Sequence, residues 1–128
     1  ASYGMEAAQK IGVVPQQVFK TLVVDTGSKR LAVAVLPVDQ QLNLKLMAKA
    51  IGAKRVVMAD PDAVSRSSGY VLGGVSPIGQ KRALTTVIDV SAQRFERIYV
   101  SGGRRGLEIE LAAKDLASVT EGQFAAIT

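Results

Sequence analysis

Two neighbouring runs, "QVFKTLVVDT" (17–26) and "RLAVAVLPV" (30–38), limit the folds open to this chain of 128 residues. Each is long enough for a strand, and each is apolar at odd and even positions alike. Successive side chains of a strand point to opposite faces, so a run without alternation needs cover on both sides. Only "GSK" separates the two runs, which makes them a hairpin. A hairpin apolar on both faces belongs in the middle of a sheet, with a packed layer above and below it.

The rest of the sequence supplies those layers. "MEAAQKIGV" reads as a short helix stopped by Gly12. In "NLKLMAKAIG" the residues Leu44, Met47, Ala48 and Ile51 recur at i, i+3, i+4 and i+7, with Asn43 as cap and Gly52 as stop. "RVVMA" is a short strand, and Asp60 then caps a helix with Pro61 at its first position. "TTVIDV" and "RIYVS" read as strands. "GLEIEL" alternates, placing Leu107, Ile109 and Leu111 inward and Glu108 and Glu110 on the other face. "AKDLASVT" is a helix, and "GQFAAIT" a terminal piece. This order predicts a single α/β domain whose mixed sheet is largely antiparallel.

The residue types that are missing restrict the chemistry. There is no histidine and no cysteine. A Ser-His-Asp triad, a cysteine nucleophile, a disulfide framework and a His/Cys zinc site are therefore excluded within this sequence. The longest apolar run falls short of the roughly 20 residues of a membrane span. The first ten residues hold no long apolar core, so neither a signal peptide nor a membrane anchor is expected, and a cytoplasmic protein is the default reading.

The formal charge is +5, and 8 of the 16 basic residues stand in four doublets: Lys29-Arg30, Lys54-Arg55, Lys81-Arg82 and Arg104-Arg105. Each doublet lies near an expected turn or element end. Such a pattern suits a polyanion such as RNA, and it also suits plain solvated turns.

Three places carry candidate chemistry. Lys20 shares a strand face with Val18, Leu22 and Val24, so its ammonium either snorkels to the sheet end or sits in a pocket as an anion contact or a base. "GGVSPIGQKR" (73–82) combines glycines, Pro77 and two cations, a loop open to an anionic ligand. "YVSGGRRGLEIE" (99–110) is a second glycine-rich turn, either a tight hairpin with a basic tip or a set of amides and Ser101 presented to a ligand. Neither loop matches a P-loop or a dinucleotide fingerprint. Asp60 and Asp62 open a helix, where capping accounts for them. Tyr70 suits base stacking and core packing equally.

Taken together, "QVFKTLVV", "NLKLMAKAIGAKRVVMADPD", "SSGYVLGGVSPIGQKR" and "IYVSGGRRGLEIELAAKDL" resemble the YbaK family, free-standing relatives of the editing domain of bacterial prolyl-tRNA synthetases. The resemblance runs from about Tyr3 to Phe124. It implies a barrel-like mixed sheet flanked by helices. The implied activity is a trans-editing hydrolase that deacylates cysteinyl-tRNA(Pro), with mischarged proline tRNA and prolyl-tRNA synthetase as partners and no metal or other cofactor.

By the same resemblance Lys20, Ser101 and Gly74 are the catalytic positions, and Lys20 matches the family's essential lysine. Tyr3, Thr21, Gly73, Val75, Ser76, Pro77, Gly102 and Glu108 form the substrate-binding set, with Glu108 where some members carry Asp. Lys81, Arg82, Arg104 and Arg105 face the tRNA phosphates. The family's usual first helix and strand, which carry a pocket Tyr, have no counterpart before Tyr3, so residues 1–128 are expected to form the domain without them. The family chemistry also fits a chain lacking His and Cys, because the substrate's own thiol can attack its carbonyl. A deacylase for another small amino acid, such as alanine, and a non-catalytic RNA-binding or synthetase-associated module are the alternatives.

Overall fold

The hairpin forms as its composition requires. In the computed structural model, which describes residues 3–27, 30–70 and 74–128, β1 (Val18–Asp25) pairs antiparallel with β2 (Leu31–Pro37), with Lys20 opposite Leu36 and Val23 opposite Val33. The remaining elements in order are α1 (Tyr3–Ile11), which precedes the hairpin, then α2 (Leu44–Ile51), β3 (Val57–Met58), α3 (Pro61–Ser68), β4 (Thr85–Asp89), β5 (Ile98–Ser101), β6 (Glu108–Leu111), α4 (Ala113–Thr120) and β7 (Gln123–Ala125). The sheet runs β6-β5-β1-β2-β4-β7, with β3 also on β1. Three of its ladders are antiparallel (β1–β2, β1–β3, β5–β6) and three are parallel (β1–β5, β2–β4, β4–β7).

Both faces of the hairpin are covered. Phe19, Val33 and Val35 pack with Ile88, Ile98 and Val100 beneath Ala113 and Leu116 of α4. Val24, Ala32, Ala34, Leu36 and Val87 pack beneath Met47 and Ala48 of α2. A third cluster joins Val23 to Val64 of α3 and to Val75. Each fully buried Phe or Leu of these layers stabilises the fold by about 1.5–3 kcal/mol.

Local signals place the helix ends. Asn43 Oδ1 accepts from the Leu46 N–H at 3.0 Å, and Gly52 closes α2 at φ +70°. Asp60 Oδ2 accepts from the Ala63 N–H at 3.3 Å, with Pro61 opening α3. Among the described residues no helix is long and apolar enough to cross a membrane.

Two details differ from the reading of the sequence. The terminal piece is an edge strand: β7 lies parallel to β4, and the buried Asp89 carboxylate accepts from the Ile127 N–H at 3.0 Å and from Ser91. In "GLEIEL", Leu107 is 42% exposed and does not point inward. Its backbone closes the preceding turn, accepting from Gly102 N–H at 2.7 Å and donating to Arg104 O at 3.1 Å, so the strand starts one residue later at Glu108.

Candidate active site

The site begins with a vacancy along β1. On the edge away from β2, β5 pairs with Val18 and Phe19, and β3 pairs with Val24 and Asp25. Among the described residues, 20–23 have no strand partner there. Backbone hydrogen bonds alternate in direction along an antiparallel strand. Val18 O accepts from Val38 N on the β2 side, whereas Val23 O accepts from Ala59 N on the other, so Thr21 is the residue whose backbone N–H and C=O face the gap. A cavity of about 350 Å³ opens over it.

Charged and polar side chains of the sheet reach this cavity from three strands. Lys20 and Thr21 come from β1, Ser101 from the end of β5, and Glu108 from the start of β6, directly opposite Ser101 in the ladder. Lys20 is half-buried. Burial pushes its pKa below the ordinary lysine value, and the more distant Asp39 carboxylate pulls it part of the way back. No carboxylate is within ion-pair distance of Lys20 among the described residues. Burial likewise pushes the Glu108 carboxyl above its ordinary value. One cation and one carboxylate are thus both partly stripped of water in the same cavity. The Thr21 hydroxyl oxygen is buried with no hydrogen-bond partner among the described residues. Ser101 Oγ accepts from Gly103 N–H at 3.2 Å, which turns the chain and leaves the hydroxyl proton to donate.

The two glycine loops that flank these residues are interlocked. A Cβ at Gly74 would lie 3.0 Å from Arg104 Cα, and one at Gly103, where φ is +113°, would lie 2.8 Å from the Tyr70 ring. The Tyr70 hydroxyl donates to Ile78 O at 2.6 Å. Ser76 Oγ accepts from Ile78 N–H at 3.2 Å, and Ser76 and Pro77 are buried. Tyr70 is therefore a pillar between the loops, and packing accounts for it.

The expected residues sort into four groups. Tyr3, Lys20, Thr21, Val75, Ser101, Arg104, Arg105 and Glu108 line the one cavity. Gly74, Ser76, Pro77 and Gly102 are not part of the lining; Gly74 lets the two loops approach each other, and Gly102 packs against Leu107 of its own turn. Gly73 falls outside the described residues, as does Lys29. Lys81 and Arg82 are exposed away from the cavity, their amides bonded to Ser68 O and Ser67 O at the end of α3.

Of the wall formed by α1, the sequence reading named Tyr3 alone. Tyr3, Glu6, Ala7 and Lys10 line the cavity, and their spacing of three, four and seven residues is one helical face. That spacing was the available signal. The helix is fixed at both sides: Gly4 lies against Val38, and Arg105 Nη2 donates to Glu6 Oε2 at 2.7 Å while stacking 4.3 Å from the Tyr3 ring centroid. The Arg105 guanidinium and Lys10 together hold the Glu6 carboxyl below its usual range.

Comparison with known proteins agrees with this architecture. A family model described as an aminoacyl-tRNA editing domain matches residues 3–119. The chain is similar to EbsC of Enterococcus faecalis, named as a Cys-tRNA(Pro)/Cys-tRNA(Cys) deacylase, at 43% identity over 94% of this chain and 74% of that protein. It is similar to ProXp-y of Escherichia coli, named as a multifunctional Ser/Thr-tRNA deacylase, at 28% identity over 77% of this chain and 59% of the other. A solved structure described as a trans-editing enzyme for prolyl tRNA synthetase superposes with a TM-score of 0.90 at 26% identity, covering 98% of this chain and 78% of its own.

Proposed function

This chain belongs to the aminoacyl-tRNA editing domain family, and on that premise we propose that it hydrolyses the ester joining cysteine to the 3′ end of proline tRNA. The observation that carries the reading is the cavity at the β1 gap. At about 350 Å³ it stands at the small end of ligand sites, which run from about 300 Å³ upward. It gathers Lys20, Ser101 and Glu108, and it contains no side chain able to serve as an activated nucleophile by the usual His or Cys route.

The reaction then uses the substrate's own thiol. The sulfur attacks the aminoacyl carbonyl carbon, a C–S bond forms, the C–O ester bond breaks, and the thiol proton passes to the departing ribose oxygen. The product is a cyclic thiolactone, which water opens to free cysteine. The protein supplies orientation, worth up to about 7–11 kcal/mol in favourable cases. It also supplies donors to the carbonyl oxygen as negative charge develops there, each worth about 3–4 kcal/mol when removed singly. Lys20 Nζ, the Ser101 hydroxyl and the backbone at Val75 take that role. Thr21 and Glu108 contact the amino-acid moiety. Exposed cations at Lys54-Arg55, Lys81-Arg82 and Arg104 attract the tRNA backbone without reading its sequence. Selection of proline tRNA is accordingly left to prolyl-tRNA synthetase as partner.

Single-turnover hydrolysis of one proline tRNA charged with cysteine, serine or alanine tests this. Fast cleavage of the cysteinyl ester with trapped thiolactone, and near-inert alanyl ester, is the expected result. Equal rates on all three without thiolactone would replace the thiol route with a lysine-activated water, and preference for serine would align the chain with the Ser/Thr deacylase relative.

A further inference from the structure

One wall of the cavity is a helix, and two contacts fix where it stands. At Gly4 the backbone of α1 lies flush against Val38, beyond the end of β2; a Cβ there would overlap Val38 Cγ1. Across the mouth, Arg105 reaches back 99 residues in sequence to donate to Glu6 Oε2 at 2.7 Å. Its guanidinium also lies over the Tyr3 ring, 4.3 Å from the centroid. Lys10 holds the other Glu6 oxygen at 3.2 Å. An exposed ion pair of this kind contributes little to global stability. A planar guanidinium that is both hydrogen-bonded and stacked does fix orientation, which a lysine in its place would not.

We propose that Arg105 is a positioning residue for this reaction. It clasps α1 through Glu6 and Tyr3, and so sets the width of the cavity and the upper size of the amino acid admitted. The inference rests on the deacylase reading. It differs from the phosphate contact expected of the Arg104-Arg105 doublet. Arg104 makes no ion pair among the described residues and is the cation of that doublet left for an external anion, while Arg105 is committed inside the molecule. The clasp joins the first helix to the β5–β6 turn, two elements that meet nowhere else at the cavity mouth through a charged pair among the described residues. One methylene more or less in a fitted hydrophobic pocket is worth about 10–200-fold in discrimination. Releasing this wall therefore relaxes discrimination against bulkier aminoacyl groups by roughly tenfold.

The test compares cysteinyl, prolyl and leucyl esters on the same tRNA, cleaved by the wild-type chain, Arg105→Ala, Arg105→Lys, Glu6→Gln and the Arg105→Ala/Glu6→Gln double variant. Circular dichroism confirms that each is folded. Arg105→Ala and Glu6→Gln are each expected to raise kcat/KM for the bulky esters relative to cysteinyl by about tenfold, with KM for cysteinyl rising more than kcat falls. The double variant is expected to match the singles, and Arg105→Lys to retain part of the selectivity. A uniform loss of affinity for every charged tRNA, with selectivity unchanged, would make Arg105 a phosphate contact and overturn the proposal. Additive effects in the double variant would overturn it too. A wild-type chain inactive on every ester would instead overturn the deacylase reading on which the clasp depends.

Discussion

Gly103→Ala offers a quantitative check on the interlocked loops, because the same turn contains its own control. Gly103 and Gly106 both have positive φ, +113° and +88°. An alanine at either position carries the backbone strain of that region, about 1–3 kcal/mol. Only at Gly103 does the new methyl meet something: the Tyr70 ring edge, 2.8 Å from the Cβ position, whereas nothing lies within 4 Å at Gly106. Relieving that overlap moves the ring and stretches the 2.6 Å bond from the Tyr70 hydroxyl to Ile78 O. Losing a neutral hydrogen bond and leaving its carbonyl unsatisfied adds about 1–2 kcal/mol. Gly103→Ala should thus cost about 1–2 kcal/mol more than Gly106→Ala. In a domain of this size that separates the two melting temperatures by roughly 5 °C. Urea titration of both variants, with Tyr70→Phe as background, measures the difference. In the Tyr70→Phe background the gap should shrink, because the bond is already gone. Equal destabilisation by the two alanines, or a gap untouched by Tyr70→Phe, would refute the pillar.

Three further outcomes follow from named groups. Lys20→Met should slow deacylation by about 100- to 1,000-fold, the usual loss for one transition-state donor, without lowering stability at neutral pH. Because burial lowers the Lys20 pKa, the folded state holds fewer protons than the unfolded state between the lowered and ordinary values. The wild type therefore gains stability as pH rises through that window, and any advantage of the methionine variant fades there; an unfolding series against pH reads this directly. Glu108→Gln should behave with the opposite sign. The folded carboxyl titrates above its ordinary 4.5, so the wild type loses stability as pH rises through the folded value, and the glutamine variant is the more stable at neutral pH but not well below 4.5. Asp89→Ala should cost about 3 kcal/mol in a urea titration, since it strands the Ile127 amide in the core and removes a charged acceptor.

What could be read from the sequence was what local physics decides. The doubly apolar hairpin, the Asn43 and Asp60 caps and the Gly52 stop depend on neighbours a few residues away, and they stand where expected. Lys20 was visible because a lone cation on an apolar strand face needs a reason. Long-range pairing was not visible. That β5 and β3 share one edge of β1 and leave Thr21 between them depends on contacts across the whole chain. The same holds for β7, whose three residues carry too little pattern to announce a parallel partner. The alternation put Glu108 on the face opposite Ile109 and Leu111 without saying what covers that face; α1 and residues 104–106 line the cavity with it and withdraw it from water. The helical face of Tyr3, Glu6, Ala7 and Lys10 was legible as a face, but nothing local said what it looked onto.

The vacancy on β1 also bears on how this chain keeps company with copies of itself. Unpaired N–H and C=O groups in the middle of an otherwise ordered strand are a template for β-addition, the contact that starts edge-to-edge aggregation. A longer β3 or β5 would remove the hazard by extending the ladder, and would fill the cavity in doing so. Here, among the described residues, that stretch has no strand partner, and α1 together with Val75 and residues 104–106 stands around the cavity that lies over it. Loosening those guards to enlarge the range of substrates therefore trades against colloidal behaviour, and variants selected for bulkier esters are the ones to watch for concentration-dependent self-association.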